Sequence, residues 1–64
     1  MSVNEFIKDT YNVAKINNKT RQERLIFTKN QFLIKYGNEG LKRYFGGSNK
    51  KLYLEISDLT KTLT

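Results

Sequence analysis

The absence of both cysteine and histidine from a chain of 64 residues is what most limits the folds open to this sequence. A domain of this length buries only about 60% of the surface that its unfolded chain exposes, and many such domains depend on disulfides or a structural metal. A chain without Cys forms no disulfide, and with His also missing it lacks the usual zinc ligands. We therefore expect one small domain over residues 1–64, stabilised by local structure and one core, with homodimerisation as a second source of stability.

The same composition argues against catalysis. The three Ser residues have no His to activate a hydroxyl, and the six carboxylates show no metal-ligand spacing. Residues 46–50 do not match a phosphate-binding glycine loop. We expect a non-enzymatic binding protein that uses no cofactor and no metal.

The net charge of +6 is concentrated in the middle of the chain. Residues 1–18 are neutral overall and residues 52–64 sum to −1, whereas residues 19–51 hold nine Lys and Arg against two Glu, a surplus of +7. A field of this kind attracts polyanions and raises their encounter rate. We expect the cations of this basic segment to gather on one surface that meets nucleic acid or an acidic protein.

The N-terminal segment predicts an amphipathic helix. Ser2 and Glu5 form a capping-box pattern, and Asn17 and Asn18 suit a helix end. The apolar residues that recur on one face of this helix are Val3, Phe6, Ile7, Tyr11 and Ala14. No apolar run is long enough to span a membrane and the first residues do not resemble a secretory signal, so we expect a cytoplasmic protein without a membrane partner.

Residues 19–36 fit either helix or strand. Residues 20–23 and 28–31 both match a capping box, and Gly37 stands where a helix would stop. Residues 25–27 form a short β-favourable run, and a turn at Lys29 and Asn30 would pair them with residues 32–34 in a hairpin. Because Lys-Asn is not a favoured hairpin turn, we favour a strand at 25–27 followed by a helix that Thr28 caps.

The C-terminal half predicts a short helix over residues 38–45, a glycine-rich turn and then a strand. Leu52, Leu54 and Ile56 alternate with Tyr53 and Glu55, which is the pattern of a half-buried strand. Ser57 or Asp58 then caps a short last helix. The expected fold class is α+β: an N-terminal helix, a helix-turn-helix-like pair and a C-terminal hairpin. The alternative is the N-terminal helix packed on a three- to four-stranded antiparallel meander.

Read in this order, residues 25–63 resemble the small winged helix-turn-helix domains of phage excisionases and MerR-like regulators. The likeness rests on residues 25–28, on Gln31 and Phe32 with Tyr36 and Gly37, and on residues 52–59. It implies DNA binding, with residues 38–45 as the helix in the major groove and residues 46–51 as the tip of a wing on the backbone.

The candidate nucleic-acid contacts are basic and polar side chains in or near the predicted helix and wing. Lys and Arg neutralise phosphates and release counterions, and Arg43 could also bind guanine with two hydrogen bonds. The leading candidates are Lys42, Arg43, Lys50 and Lys51, followed by Lys29, Lys35 and Asn49. These residues predict a small DNA-binding regulatory or recombination accessory protein.

Two other functions fit the same residues. A small phage-type inhibitor or adaptor would use the basic segment, or the helix face with Phe6 and Tyr11, to occlude another protein. A binder of single-stranded nucleic acid or RNA would stack bases on Tyr44 and Tyr53, placed on the outer face of the meander.

Overall fold

The structure is a computed structural model that describes residues 2–63, and over that range the chain forms helices and no strand. Helix α1 spans Val3–Ile16, α2 spans Arg21–Phe45 and α3 spans Asn49–Thr60, followed by a 3-10 turn at Lys61–Leu63. The expected α+β class, its meander alternative and the winged helix-turn-helix are therefore wrong, because a wing and a meander both need paired strands.

Helix α1 confirms the N-terminal prediction. The Ser2 hydroxyl accepts a hydrogen bond from the Glu5 backbone N–H at 3.1 Å, which caps the helix. Ile7, Tyr11 and Ala14 are buried at helical spacing. The helix ends just before Asn17, and Asn18 takes the left-handed conformation with φ of 61°.

Helix α2 begins at the predicted capping box of residues 20–23 and not at Thr28. The Glu23 N–H donates to the Thr20 hydroxyl, and the Thr20 N–H donates to the Glu23 carboxylate at 2.8 Å. Thr28 lies fully buried inside the helix, where its hydroxyl donates to the Arg24 carbonyl at 2.8 Å. The expected strand at 25–27 is wrong because Leu25, Thr28 and Phe32 share one buried helical face.

A kink at Gly37 divides α2 into a long arm, residues 21–36, and a short arm, residues 38–45. Gly37 has φ of 65° and ψ of −167°, a conformation that a residue with a side chain rarely adopts. Both the stop at Gly37 and the following short helix are confirmed. The short arm packs closely on the long one, because the Phe45 ring lies 5.5 Å from Phe32 and a Cβ at Gly40 would collide with that of Tyr36.

Helix α3 occupies the segment predicted as a strand. Ser48 caps it by accepting from the Lys51 N–H at 3.2 Å. Leu52, Ile56 and Thr60 are completely buried at intervals of four, whereas Leu54 is 51% exposed. In a strand Leu54 would share the face of Leu52 and Ile56, so the burial pattern is that of a helix. The predicted last helix does not start at residue 57 or 58, because both lie within α3.

The three helices form a bundle around one core. The Phe6 ring lies 5.5 Å from Tyr36, and Arg21 reaches both Tyr11 and Thr60, so α1 and α3 run antiparallel to the long arm of α2. The buried hydrophobic residues that fill the core are Ile7, Tyr11, Leu25, Phe32, Leu41, Leu52 and Ile56. None of the helices within residues 2–63 is long and apolar enough to cross a membrane.

The bundle has two ends that differ in chemistry. At what we call the clasp end, α1 finishes, α2 starts and α3 finishes, around Lys15, Arg21, Arg24 and Thr60. At the turn end, the short arm of α2 meets the start of α3, in residues 42–51. Because α3 is 12 residues long, its two termini stand about 18 Å apart.

Candidate nucleic-acid interface

The turn end is built by a tight connection between two helices. Gly46 and Gly47 have φ of 62° and 80°, and their N–H groups donate to the carbonyls of Lys42 and Leu41. The bond from Gly46 to Lys42, made by a residue in the left-handed conformation, is the 5→1 bond of the αL motif that ends a helix. Residues 46–48 then lead directly into α3. Two helices joined by a short turn that contains glycine are the elements of a helix-turn-helix.

Four cationic side chains flank this turn. Lys42 and Arg43 lie in the last turn of α2, and Lys50 and Lys51 lie in the first turn of α3. All four are exposed, and within residues 2–63 their side chains form neither an ion pair nor a hydrogen bond. Their charges are therefore free to meet an anion from outside the molecule.

The start of α3 differs electrostatically from the other helix starts. Helices α1 and α2 each carry a Glu in the first turn, at Glu5 and Glu23, as the helix dipole favours. Helix α3 has no acidic residue there and carries Lys50 and Lys51 instead. Cations at a helix N-terminus oppose the dipole, so this placement does not stabilise the helix. It does concentrate positive potential where backbone N–H groups also point outward.

The seven predicted contact residues fall into three places. Lys42, Arg43, Asn49, Lys50 and Lys51 come together at the turn end. The other two candidates, Lys35 and Lys29, lie on the long arm of α2.

Lys35 is engaged with aromatic rings close to the kink. Its ammonium lies 5.3 Å from the centre of the Phe6 ring and 5.8 Å from that of Tyr36. Lys29 is half-buried and stands eight residues before Gly37, about 12 Å from the kink along the helix axis. Lys29 lies on the long arm, outside the residues 42–51 that define the turn end.

The roles that the resemblance implied change with the fold. Residues 38–45 are a helix, as implied, but residues 46–51 are the helix–helix turn and the first turn of α3, not a wing. Asn49, Lys50 and Lys51 are therefore exposed residues in the first turn of a helix whose other side packs in the core.

Two shallow grooves meet at Tyr44. One has a volume of about 480 Å³, is lined by Tyr36, Glu39, Gly40, Arg43 and Tyr44, and is called the Arg43 groove. The other has a volume of about 430 Å³ and is called the Lys51 groove. It is lined by Tyr44, Phe45, Gly46, Lys51, Leu54, Glu55 and Asp58. Tyr44 is 48% exposed and forms the ridge between them.

Sequence reasoning placed Tyr44 and Tyr53 together on a sheet face, and that arrangement is wrong. Tyr44 belongs to α2 at the turn end, whereas Tyr53 lies on α3 and packs half-buried against the core. In the sequence Tyr44 follows Lys42 and Arg43 directly, and this was the feature that could have placed Tyr44 beside these cations at the turn end.

At the clasp end the cations already have partners. The Arg21 guanidinium donates to the Tyr11 hydroxyl and the Thr60 hydroxyl, each at 2.8 Å, and to the Ser57 carbonyl at 3.0 Å. The Arg24 Nε donates to the Lys19 carbonyl at 2.7 Å. The expectation that the cations of residues 19–51 share one surface is therefore wrong for Arg21 and Arg24.

The two arginines also affect the ionisation of Tyr11. Burial of the Tyr11 phenol acts to raise its pKa. The hydrogen bond from Arg21 and the positive charges of Arg21 and Arg24 outweigh burial, so the pKa of Tyr11 lies below its ordinary value of 10.0. No sequence pattern revealed this cluster, because Arg21 contacts residues that are 36 and 39 positions away along the chain.

Across residues 2–63 the structure holds no group of three or more acidic side chains placed to bind a metal ion. Comparisons with protein-family models, with curated proteins and with solved structures each returned no match, so function is inferred from the residues of this chain alone.

Proposed function

We propose that this protein is a non-enzymatic DNA-binding protein, of a regulatory or recombination accessory kind, that contacts duplex DNA with its turn end. The observation that supports this most is the set of four exposed cations without intramolecular partners, Lys42, Arg43, Lys50 and Lys51, on the two sides of one tight turn. Residues 38–51 carry these four cations against Glu39 as the one carboxylate. A polyanion is the ligand that such a surface attracts.

The order of the two helices supports different contacts for each of them. In helix-turn-helix proteins the second helix enters the major groove through its N-terminal residues, while the first crosses the backbone. Here Asn49 and Lys50 at the start of α3 would reach base edges, and Lys42 and Arg43 on the short arm would bind phosphates. Asp58, later in α3, is repelled by phosphate, which keeps the groove contact near the helix start.

Salt dependence measures how many phosphates are contacted. Four neutralised phosphates give a log–log slope of binding against salt of about −3.6 on duplex DNA. The affinity for random duplex should therefore fall steeply as salt rises, with a smaller excess for one preferred sequence.

A pair of charge-matched variants tests the proposal. Lys50→Glu/Lys51→Glu removes two cations from the turn end, and Lys19→Glu/Lys29→Glu removes two from elsewhere in the basic segment. Both variants have the same net charge. We expect the first to weaken duplex binding by more than about tenfold and to reduce the salt slope by about 2, and the control to change both much less. The measurement is fluorescence anisotropy of a labelled duplex over a range of salt concentrations.

Equal losses in the two variants would mean that the whole molecule attracts DNA without a defined site. Unchanged binding by a folded Lys50→Glu/Lys51→Glu variant would remove α3 from the interface. No duplex binding by the wild-type protein at low salt would reject the proposal outright.

An acidic protein is the second candidate partner. It is favoured by the exposed apolar side chains of Tyr44 and Leu54 beside Lys51, since protein interfaces combine an apolar centre with a charged rim. A protein partner would be lost with Leu54→Ala, whereas phosphate contacts would not. Salt-dependent duplex binding that Leu54→Ala leaves intact would therefore favour DNA.

A further inference from the structure

The aromatic residue at the turn end differs from every other aromatic residue in the chain. All eight Phe and Tyr residues lie within the described range, and Tyr44 alone among them is exposed. Tyr11 is completely buried and hydrogen-bonded to Arg21, and the rings of Phe32 and Phe45 pack against each other. Among the aromatic residues Tyr44 is thus the most open to a ligand, whereas the rings of Phe27, Tyr36 and Phe45 line grooves but are half-buried.

The Tyr44 ring packs against other aromatic rings on the side that faces the core. Its centre lies 6.1 Å from that of Tyr36, in an edge-to-face arrangement with an interplanar angle of 78°. Tyr36 in turn lies 4.8 Å from the buried ring of Phe32. This row of rings connects Tyr44 to the core, so less freedom is lost when a ligand stacks on it.

The surroundings of Tyr44 match a nucleotide better than a plain apolar ligand. Arg43 lines the groove on one side of the ridge, and Lys51 lines the groove on the other side. The Arg43 groove also holds the carboxylate of Glu39, and the Lys51 groove holds those of Glu55 and Asp58. Cations bind phosphate, whereas a carboxylate repels phosphate and accepts hydrogen bonds from the amino groups of bases. A nucleotide whose base stacks on the Tyr44 ring and whose phosphates point toward Arg43 and Lys51 would suit both the cations and the carboxylates.

We infer that Tyr44 is a stacking site for one unpaired nucleobase, and that the protein prefers DNA in which a base has left the duplex stack. This inference rests on the proposed function, because the duplex on either side of that base would be held by the cations of the turn end. A base and an aromatic ring stack favourably whatever the base, so the preference is for the opened structure more than for a sequence.

The test compares an intact short duplex with the same duplex carrying a one-base bulge of 2-aminopurine, whose fluorescence reports stacking. We expect the wild-type protein to bind the bulged duplex about tenfold more tightly and to quench the bulge fluorescence. Tyr44→Ala should lose both the preference and the quenching while it still binds the intact duplex. Tyr44→Phe should keep both, because the ring and not the hydroxyl is required.

Leu54→Ala is the matched control, since Leu54 is 51% exposed, lines the Lys51 groove and has no ring. It should behave like the wild type, and circular dichroism should show the same helix content in every variant. Equal wild-type affinity for both duplexes overturns the stacking site and leaves duplex binding standing. Quenching and preference that persist in Tyr44→Ala also overturn it. Failure to bind either duplex overturns the proposed function and the stacking site together.

Discussion

Cationic side chains occupy both ends of the bundle, but only those at the clasp end have partners inside the molecule. Arg21 makes hydrogen bonds to α1 and α3, Arg24 bonds a loop carbonyl, and the Lys15 ammonium donates to the Leu63 carbonyl at 2.9 Å. At the turn end Lys42 and Lys50 make no such contact within residues 2–63. The same residue types therefore stabilise the fold at one end and remain available for binding at the other.

This difference follows from where helix ends leave unpaired backbone groups. The clasp end gathers the C-terminal carbonyls of α1 and α3, which attract cations. At the turn end the carbonyls that end α2 are already bonded by the N–H groups of Gly46 and Gly47. Cations there find no internal acceptor, and at the start of α3 they face N–H groups instead. Sequence charge alone does not distinguish these situations.

The largest effect is expected for Arg21→Ala, which removes the centre of the clasp. The buried hydroxyls of Tyr11 and Thr60 would lose a charged donor, so we expect the free energy of unfolding to fall by about 3 kcal/mol. Urea denaturation followed by circular dichroism measures the change. Arg21→Lys should recover part of it, because an ammonium cannot reproduce the spread of the guanidinium bonds. A loss below about 0.5 kcal/mol would mean that the clasp is not a structural device.

At the turn end, the end of α2 depends on backbone conformation. Gly46 has φ of 62°, which strains any residue with a side chain, and open space surrounds its Cβ position. Gly46→Ala should therefore reduce the free energy of unfolding by about 1 kcal/mol through conformation alone. Gly46→Asn should cost less, since Asn tolerates the left-handed region. Equal losses for both variants in thermal denaturation would contradict this explanation.

Removing the two cations at the start of α3 should stabilise the protein. Lys50→Glu/Lys51→Glu replaces two charges that oppose the dipole of α3 by two that favour it, so we expect a gain of about 0.5–1 kcal/mol at low salt. The melting temperature, measured at low and high ionic strength, reports this gain and its screening. A melting temperature that falls would show that these lysines serve the fold, contrary to the comparison of the two ends.

The smallest expected effect is on how the free energy of unfolding changes at acid pH. Hydrogen bonds from the backbone and the hydroxyl of Thr20 lower the pKa of the Glu23 carboxyl below its ordinary value of 4.5. A lowered carboxyl pKa adds stability above pH 4.5, and that stability is lost as the pH falls through the folded-state pKa. The unfolding free energy of Glu23→Gln should therefore vary less between neutral pH and pH 3 than that of the wild type. Identical pH profiles from urea titrations would argue against the capping box.

Local signals predicted much of the helical structure. Ser2 with Glu5 and Thr20 with Glu23 correctly located two helix starts, and Gly37 correctly located the break in α2. These signals succeed because a cap bonds groups three residues away, whatever the rest of the chain does. Thr28 offered an equally good pattern and misled, because in the folded helix its hydroxyl bonds the Arg24 carbonyl instead.

The strand predicted at residues 52–56 was wrong because the local pattern alone could not distinguish strand from helix. Alternating Leu52, Leu54 and Ile56 fit a strand, and the helical alternative required that Leu54 be left 51% exposed. That choice depends on which side chains the rest of the molecule can cover. Lys42, Arg43, Lys50 and Lys51 come together at the turn end because they lie within ten positions of one another on both sides of a glycine turn, and their role as contacts stays a prediction.

The amino-acid sequence by itself determined the helix caps, the glycine break and turn, and the surplus of positive charge, because each depends on residues a few positions apart. Only the tertiary structure decided that residues 49–60 are a helix. It also decided that Arg21 makes hydrogen bonds to α1 and α3, whereas the Lys50 side chain has no partner within residues 2–63. Those outcomes depend on contacts between residues far apart in the chain, where burial and the supply of hydrogen-bond acceptors are set by the packing of all three helices together.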